Sequence, residues 1–154
     1  AKILGVREVY LIERKWPVVY VDLSPQQRYE AVKDSAAVLN PETAKGQIYG
    51  GVMQGIGQAL SEKIEYNPET GTMKTTHLRK YNIPRFSAMP EYECIFIENS
   101  QPNGPFGARP IAEHPVIGPP PAILNALEDA TGESLTSLPA TSKRVKQILE
   151  RRQD

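Results

Sequence analysis

Apolar residues recur at helical spacing between positions 41 and 64, and this is the most regular pattern in the chain. At about 100° per residue, seven apolar side chains fall within an arc of about 160°; they are Ile48, Val52, Met53, Ile56, Ala59, Leu60 and Ile64. Asn40 and Pro41 precede them, and a capping side chain followed by a pre-set φ favours a helix start. The pattern predicts an amphipathic helix from about Pro41 or Gln47 to Lys63.

The segment before this helix combines two patterns. Residues 6–23 are rich in strand formers that alternate in patches, which predicts two strands broken at 15–17. Residues 24–39 begin with Ser24 and Pro25, an N-cap followed by proline at the first helical position. That start predicts a further helix.

Turn residues separate shorter elements after the long helix. Residues 67–71 read Asn-Pro-Glu-Thr-Gly, in which proline sets φ and glycine accepts a positive φ. We expect this turn to join a strand ending near Tyr66 to one running from Met73 to about Leu78. Residues 92–97 are rich in strand-forming side chains and predict another strand.

Half of the residues from 104 to 121 are glycine or proline. No regular element tolerates that density, so the stretch predicts an extended loop with a specified conformation. A helix is predicted to begin behind Pro121 and to stop at Gly132, and a last one to cover residues 142–152. Together the elements indicate an α+β domain with a small mixed or antiparallel sheet and three or four helices.

Charge and composition exclude several classes of protein. The chain has 154 residues, with 18 basic and 18 acidic side chains, so its formal net charge is zero. A neutral chain is a poor general binder of nucleic acid or anionic membrane, and the basic residues of 143–152 are better explained as a solvated helix face. No apolar run approaches the roughly 20 residues of a membrane span. A single cysteine excludes an internal disulfide and fits a cytoplasmic protein.

The predicted long helix has an unusual polar face. Gln47, Gln54 and Gln58 cluster opposite the apolar arc, where a solvated helix would usually carry lysine and glutamate. Four glycines lie within residues 50–57 of the same helix, at positions 50, 51, 55 and 57, and each costs about 1 kcal/mol relative to alanine. Either a ligand approaches the backbone and binds the amides, or another helix packs closely there.

Glu113 is the candidate for chemistry in the glycine- and proline-rich loop. If the loop is buried, desolvation raises the pKa of this carboxyl, while Arg109 opposes the rise if it reaches. A carboxylate tuned in this way suits general-base catalysis near neutral pH. The alternative is an ordinary solvated glutamate. His114 is more often structural than a ligand, and two histidines with one cysteine cannot assemble a zinc site.

Several segments in register resemble the molybdopterin-binding large subunit of the molybdenum hydroxylases, the xanthine dehydrogenase and aldehyde oxidase family. Residues 47–60 are similar to its Q-x-x-G-G-x-x-Q-G-x-G-x-A-L helix, and residues 104–113 to its G-P-F-G-A-K-G-x-G-E loop. The other similar segments are Asn40-Pro41, Tyr81-Asn82-Ile83-Pro84, residues 121–126, residues 130–132 and Leu138-Pro139.

The resemblance implies a function for the larger enzyme. Such enzymes use molybdopterin to oxidise an aldehyde or an N-heterocycle with oxygen from water, and they pass electrons to iron–sulfur clusters and FAD on partner domains or subunits. By resemblance, Glu113 is the catalytic base, while Gln54, Gly55 and Gly51 lie against the pterin, which favours ligand approach at the helix. The chain then comprises a poorly matched segment, 1–39, and a C-terminal molybdopterin-binding subdomain, 40–154, made to pack on the remainder of the subunit.

The loop departs from the family pattern at three positions. Pro110 and Ala112 stand where the family has glycines, and Arg109 stands where it has lysine. The two glycine replacements remove backbone freedom, and proline also removes an N–H donor. A non-catalytic assembly module, or a degenerate fragment of such a subunit, is therefore the alternative function.

Overall fold

A three-stranded sheet and three α-helices form the part of the chain that the computed structural model describes, residues 18–22, 28–34, 36–111 and 113–151. The strands are β1 (Val18–Asp22), β2 (Arg28–Asp34) and β3 (Glu91–Ile97). The helices are α1 (Pro41–Leu60), α2 (Pro119–Thr131) and α3 (Ser142–Arg151). None of these helices is both long enough and apolar enough to cross a membrane.

The sheet is mixed, with β2 in its centre. β2 pairs antiparallel with β1, from Val18 opposite Val32 to Asp22 opposite Arg28. It pairs parallel with β3, which follows much later in the sequence, from residue 91 to residue 97. Parallel neighbours need a long crossover connection, and the connection from β2 to β3 contains α1.

The helix predicted for residues 24–39 is wrong over its described part, because residues 28–34 form β2. The strands that pair with β2 on both sides lie elsewhere in the sequence. A capping signal depends only on neighbouring residues, so it could not predict this pairing. Ser24 and Pro25, on which that prediction depended, lie outside the described residues. Of the two strands predicted within 6–23, β1 coincides with the second, and the first also lies outside the described residues.

Helix α1 begins where the capping signal predicted. The Asn40 side chain accepts a hydrogen bond from the backbone N–H of Thr43 at 3.1 Å, and Pro41 occupies the first helical position. The helix ends at Leu60, because the carbonyl of Gly57 accepts from both Ser61 and Glu62. Ile64, placed on the predicted apolar face, therefore lies beyond the helix and is exposed.

The hydrophobic core lies between α1 and α2. It consists of Ile48, Val52, Ile56, Ala59, Ala122 and Ile123. Ile48 and Val52 are each only 1% exposed. At about 25 cal/mol per Å² of apolar area removed from water, such side chains each contribute roughly 1.5–3 kcal/mol. The apolar arc of α1 is therefore the face that holds the helices together.

Two predictions differ in extent from the structure: the start of α2 and the length of the strands on either side of residues 67–71. α2 begins at Pro119 rather than behind Pro121, because prolines are tolerated in a first turn whose N–H groups have no partner within the helix. It stops as predicted at Gly132, which adopts a left-handed φ of 70°. The strands predicted on either side of residues 67–71 are reduced to one bridge between Tyr66 and Met73, since an isolated two-stranded hairpin is marginal in water.

The glycine side of α1 packs against a short 3-10 turn, His114–Val116, which we call the 114–116 turn. A Cβ placed on Gly51 would lie 2.7 Å from Cβ of Pro115. A Cβ placed on Gly55 would lie 2.7 Å from the carbonyl oxygen of Val116 and 2.9 Å from Cγ of Pro119. Only residues without a side chain allow this distance, so the two glycines are required by the packing.

Substituting Gly51→Ala should destabilise the chain, whereas Gly50→Ala should not. Overpacking against Pro115 costs about 1–3 kcal/mol, which outweighs the gain of about 1 kcal/mol in helix propensity. A Cβ at Gly50 meets no atom within 4 Å, so that variant should keep the propensity gain. Urea denaturation measures both free energies of unfolding; equal changes in the two variants would contradict the packing described here.

Substituting Asn40→Ala should lower the free energy of unfolding by about 1 kcal/mol, because the N–H of Thr43 loses its acceptor. Asn103→Ala is a suitable control, since Asn103 is exposed in the loop after β3. Thermal and urea denaturation of both variants measure the difference. A loss of similar size in the control would show that capping is not the cause.

Candidate functional site

The first half of the glycine- and proline-rich loop is tied to the segment that enters α1. The carbonyl of Gly107 accepts hydrogen bonds from the backbone N–H groups of Ala37 at 3.0 Å and Gln101 at 2.9 Å. Ala36 and Ala108 form an isolated antiparallel bridge beside them. These contacts hold residues 104–108 next to the N-terminus of α1.

The second half of the loop is seated on α1 by the 114–116 turn. Pro115 is buried against Gly51. Three residues turn a helix by about 300°, so Gln54 lies only about 60° around the helix from Gly51. Glu113 lies two residues before Pro115, the residue through which the loop contacts Gly51. The fold brings together the two segments that carry the predicted site residues.

Glu113 is exposed, although its neighbours are partly buried. Ile111 and Val116 are half-buried and Pro115 is buried. The apolar enclosure expected around the carboxylate is not supplied by the described residues. Ala112, one of the departures from the family loop, lies outside them.

Arg109 binds another partner. Its guanidinium Nε donates to the side-chain oxygen of Gln101 at 3.0 Å, and a second nitrogen of the same group donates to that oxygen. Arg109 was expected to act on Glu113 only if the two side chains meet. The bonds to Gln101 instead hold the guanidinium near the start of the loop. Pro110, beside it, is exposed.

The glutamine face of α1, formed by Gln47, Gln54 and Gln58, is exposed along its length. Gly50, at the margin of this face, has open space where a Cβ would be. Gly51 and Gly55 are buried, and their neighbours are the 114–116 turn and the start of α2. At these two glycines close packing is therefore present, and its partners are the chain's own 114–116 turn and, at Gly55, the first residue of α2.

A cleft of about 220 Å³ lies between the start of α1 and the loop. Its lining includes Gln47 from the glutamine face and Arg109 from the loop, together with Asn40, Thr43 and Ile111. Polar groups from the two segments therefore share one opening. No group of three or more His, Cys, Asp or Glu residues within the described ranges is placed to hold a metal ion.

Sequence reasoning missed the backbone of Phe106. This residue has a left-handed φ of 54°, next to Gly107 with a φ of 74°, and its side chain is 89% exposed. A left-handed conformation is uncommon for a residue other than glycine and is stored strain. The pairing of Gly107 with Ala37 and Gln101 stabilises it, and no local signal predicts contacts between segments so far apart.

Known proteins that are similar to the chain include the molybdenum-binding subunits of oxidoreductases. Residues 25–90 match the family model of the molybdopterin cofactor-binding domain. The putative xanthine dehydrogenase molybdenum-binding subunit of Escherichia coli K12 is 37% identical over 114 residues, which are 74% of this chain and 15% of that protein. The aldehyde oxidoreductase of Megalodesulfovibrio gigas is 35% identical over 118 residues, or 76% of this chain and 12% of that protein.

Solved structures agree with this relationship. The crystal structure of quinoline 2-oxidoreductase from Pseudomonas putida 86 superposes on 87% of the chain with a TM-score of 0.74 and 30% sequence identity. The chain covers 18% of that protein, so it spans less than a fifth of the length of these relatives. The chain is thus related to one segment of the molybdenum-binding subunits of the xanthine dehydrogenase and aldehyde oxidoreductase family.

Proposed function

We propose that the chain forms part of a molybdenum-dependent hydroxylase that oxidises an aldehyde or an N-heterocycle with oxygen from water. The observation that supports the proposal is the seating of the 114–116 turn on Gly51 and Gly55, which anchors the loop that carries Glu113 to the helix that carries the glutamines. The relatives of the chain include a xanthine dehydrogenase subunit and an aldehyde oxidoreductase, and these activities support the proposed reaction class.

The residues of the glutamine face fit a molybdopterin. Gln54 and Gln58 are exposed and uncharged, and an amide both donates and accepts hydrogen bonds, as a pterin ring and its substituents require. In the proposal Gln54 binds the cofactor directly. Gly51 and Gly55 shape the proposed cofactor-binding surface. Because they lack side chains, the loop that carries Glu113 lies close to the helix. When bound, the cofactor supplies the redox chemistry.

Glu113 is the general base of the proposed reaction. Its carboxylate accepts a proton at an oxygen atom, and its position on a turn seated against a rigid helix fixes where that proton is received. The carboxylate is exposed in this chain, so the remainder of the subunit would exclude water from it. Exclusion of water strengthens the electrostatic interactions of a base.

In the proposal, the remaining parts of the enzyme lie outside these 154 residues. The chain spans 15% of its Escherichia coli relative, so the rest of the molybdopterin subunit, with iron–sulfur clusters and FAD on partner domains or subunits, is part of the proposal. A division into residues 1–39 and a molybdopterin-binding subdomain of 40–154 stays a prediction, and so does a cytoplasmic location.

A non-catalytic assembly module is the second candidate. The exposed Pro110 favours it, since it stands where the family loop has glycine and cannot donate a backbone hydrogen bond. In this alternative the chain packs on its partners through the same faces, but Glu113 accepts no proton. The two candidates differ in what substitution of Glu113 does to turnover.

Glu113→Gln in the assembled enzyme should lower kcat by several orders of magnitude, roughly 10²–10⁴-fold. The amide keeps the shape of the side chain but cannot act as a base. Glu128→Gln, on the exposed side of α2, is the matched control and should leave kcat unchanged. Molybdenum content measured on both variants separates loss of chemistry from loss of cofactor. An unchanged rate in Glu113→Gln would favour the assembly module.

The 154-residue chain alone should retain no molybdenum and show no hydroxylase turnover. Gln54 and Glu113 are exposed, and most of a cofactor pocket would be contributed by the remainder of the subunit. Metal analysis after purification, with a hydroxylase assay, measures both properties. Substantial bound molybdenum would contradict this dependence on other polypeptide.

A further inference from the structure

A cleft of about 550 Å³ lies on a different part of the molecule, next to the C-terminal end of α1. Four basic side chains line it, those of Lys63, Lys74, Arg79 and Lys80, together with one acidic side chain, Glu65. We call it the basic cleft. Its side chains carry three net positive charges, four minus one, in a chain whose overall charge is zero.

The backbone around the basic cleft is held by specific hydrogen bonds. The N–H of Lys74 donates to the carbonyl of Glu65 at 2.7 Å, and the N–H of Glu65 donates to the hydroxyl of Thr75 at 2.9 Å. The ammonium of Lys80 donates to the carbonyl of Lys74 at 3.2 Å. These bonds join two segments of chain, so the positive charges are kept near one another.

The positive charge of the basic cleft is not neutralised from within. Lys63 pairs with Glu65 at 2.9 Å, and this ammonium, with a smaller effect of Lys74, holds the pKa of Glu65 below its ordinary value. Lys74 and Arg79 form no ion pair with a carboxylate anywhere in the described ranges. Like charges held together repel one another, and an anion bound between them would relieve the repulsion.

One further feature adds to the positive potential. Thr141 lines the cleft, and its hydroxyl accepts a hydrogen bond from the backbone N–H of Arg144 in the first turn of α3. The N-terminus of a helix carries a partial positive charge. The first turn of α3 therefore reinforces the four cationic side chains.

We propose that the basic cleft docks an acidic segment of another polypeptide, one that carries several glutamate or aspartate side chains. Charge complementarity of this kind determines which partner binds and how fast. Nucleic acid is disfavoured because no aromatic side chain lines the cleft to stack on a base. An apolar small molecule is disfavoured because charged and hydroxyl-bearing side chains dominate the lining. This docking function does not depend on the proposed hydroxylase chemistry.

A fluorescein-labelled hexaglutamate peptide is a direct probe, with binding to the 154-residue chain followed by fluorescence anisotropy. The peptide should bind the wild-type chain at low salt and dissociate as the salt concentration rises. The double substitution Lys74→Glu with Arg79→Glu should weaken binding at least about tenfold. The matched control, Lys146→Glu with Arg151→Glu on α3, makes the same change in net charge and should bind within about twofold of wild type.

A second pair of variants separates charge from folding. Lys74→Gln with Arg79→Gln removes the charge without reversing it and should give binding between those of wild type and the reversed variant. Circular dichroism confirms that each variant is folded. Three results would overturn the proposal: no binding to wild type, equal loss in the cleft and control variants, or tighter binding of tripolyphosphate or a single-stranded oligonucleotide than of the peptide.

Discussion

The contact between the glycine side of α1 and the 114–116 turn is the interaction on which the rest of this structure depends. Gly51 and Gly55 have no side chains, so Pro115 and the backbone of Val116 reach the helix surface. The same contact leads directly into α2, whose apolar side chains complete the core with α1. One helix therefore organises both the core and the loop that carries Glu113.

This arrangement leaves a surface that another polypeptide could cover. Glu113 and Gln54 are exposed, and large apolar side chains stand out elsewhere on the chain, with Leu78 75%, Phe86 88% and Phe106 89% exposed. The chain spans about 15% of its relative, so in the proposed enzyme the remainder of the subunit would cover part of this surface.

Elements with strong local signals could be predicted, and those that depend on distant partners could not. Asn40 and Pro41 mark the start of α1, because the capping bond is made three residues away. Gly132 ends α2 because its left-handed φ suits glycine. β2, in contrast, was predicted to be a helix, and it is a strand because β1 and β3 pair with it on both sides. The predicted strand after Met73 has no such neighbours and did not form beyond one bridge.

The amino-acid sequence by itself determined the long helix, its uncharged glutamine face, and the placement of a carboxylate in a rigid loop, because periodicity, capping and proline content act over a few residues. Only the tertiary structure decided that Gly51 and Gly55 receive the chain's own turn, that Arg109 is bound by Gln101, and that Glu113 faces solvent. The contact at Gly51 and Gly55 depends on which distant segments pack together, and the bond between Arg109 and Gln101, eight residues apart, depends on how the loop folds. Neither has a signal in the local sequence.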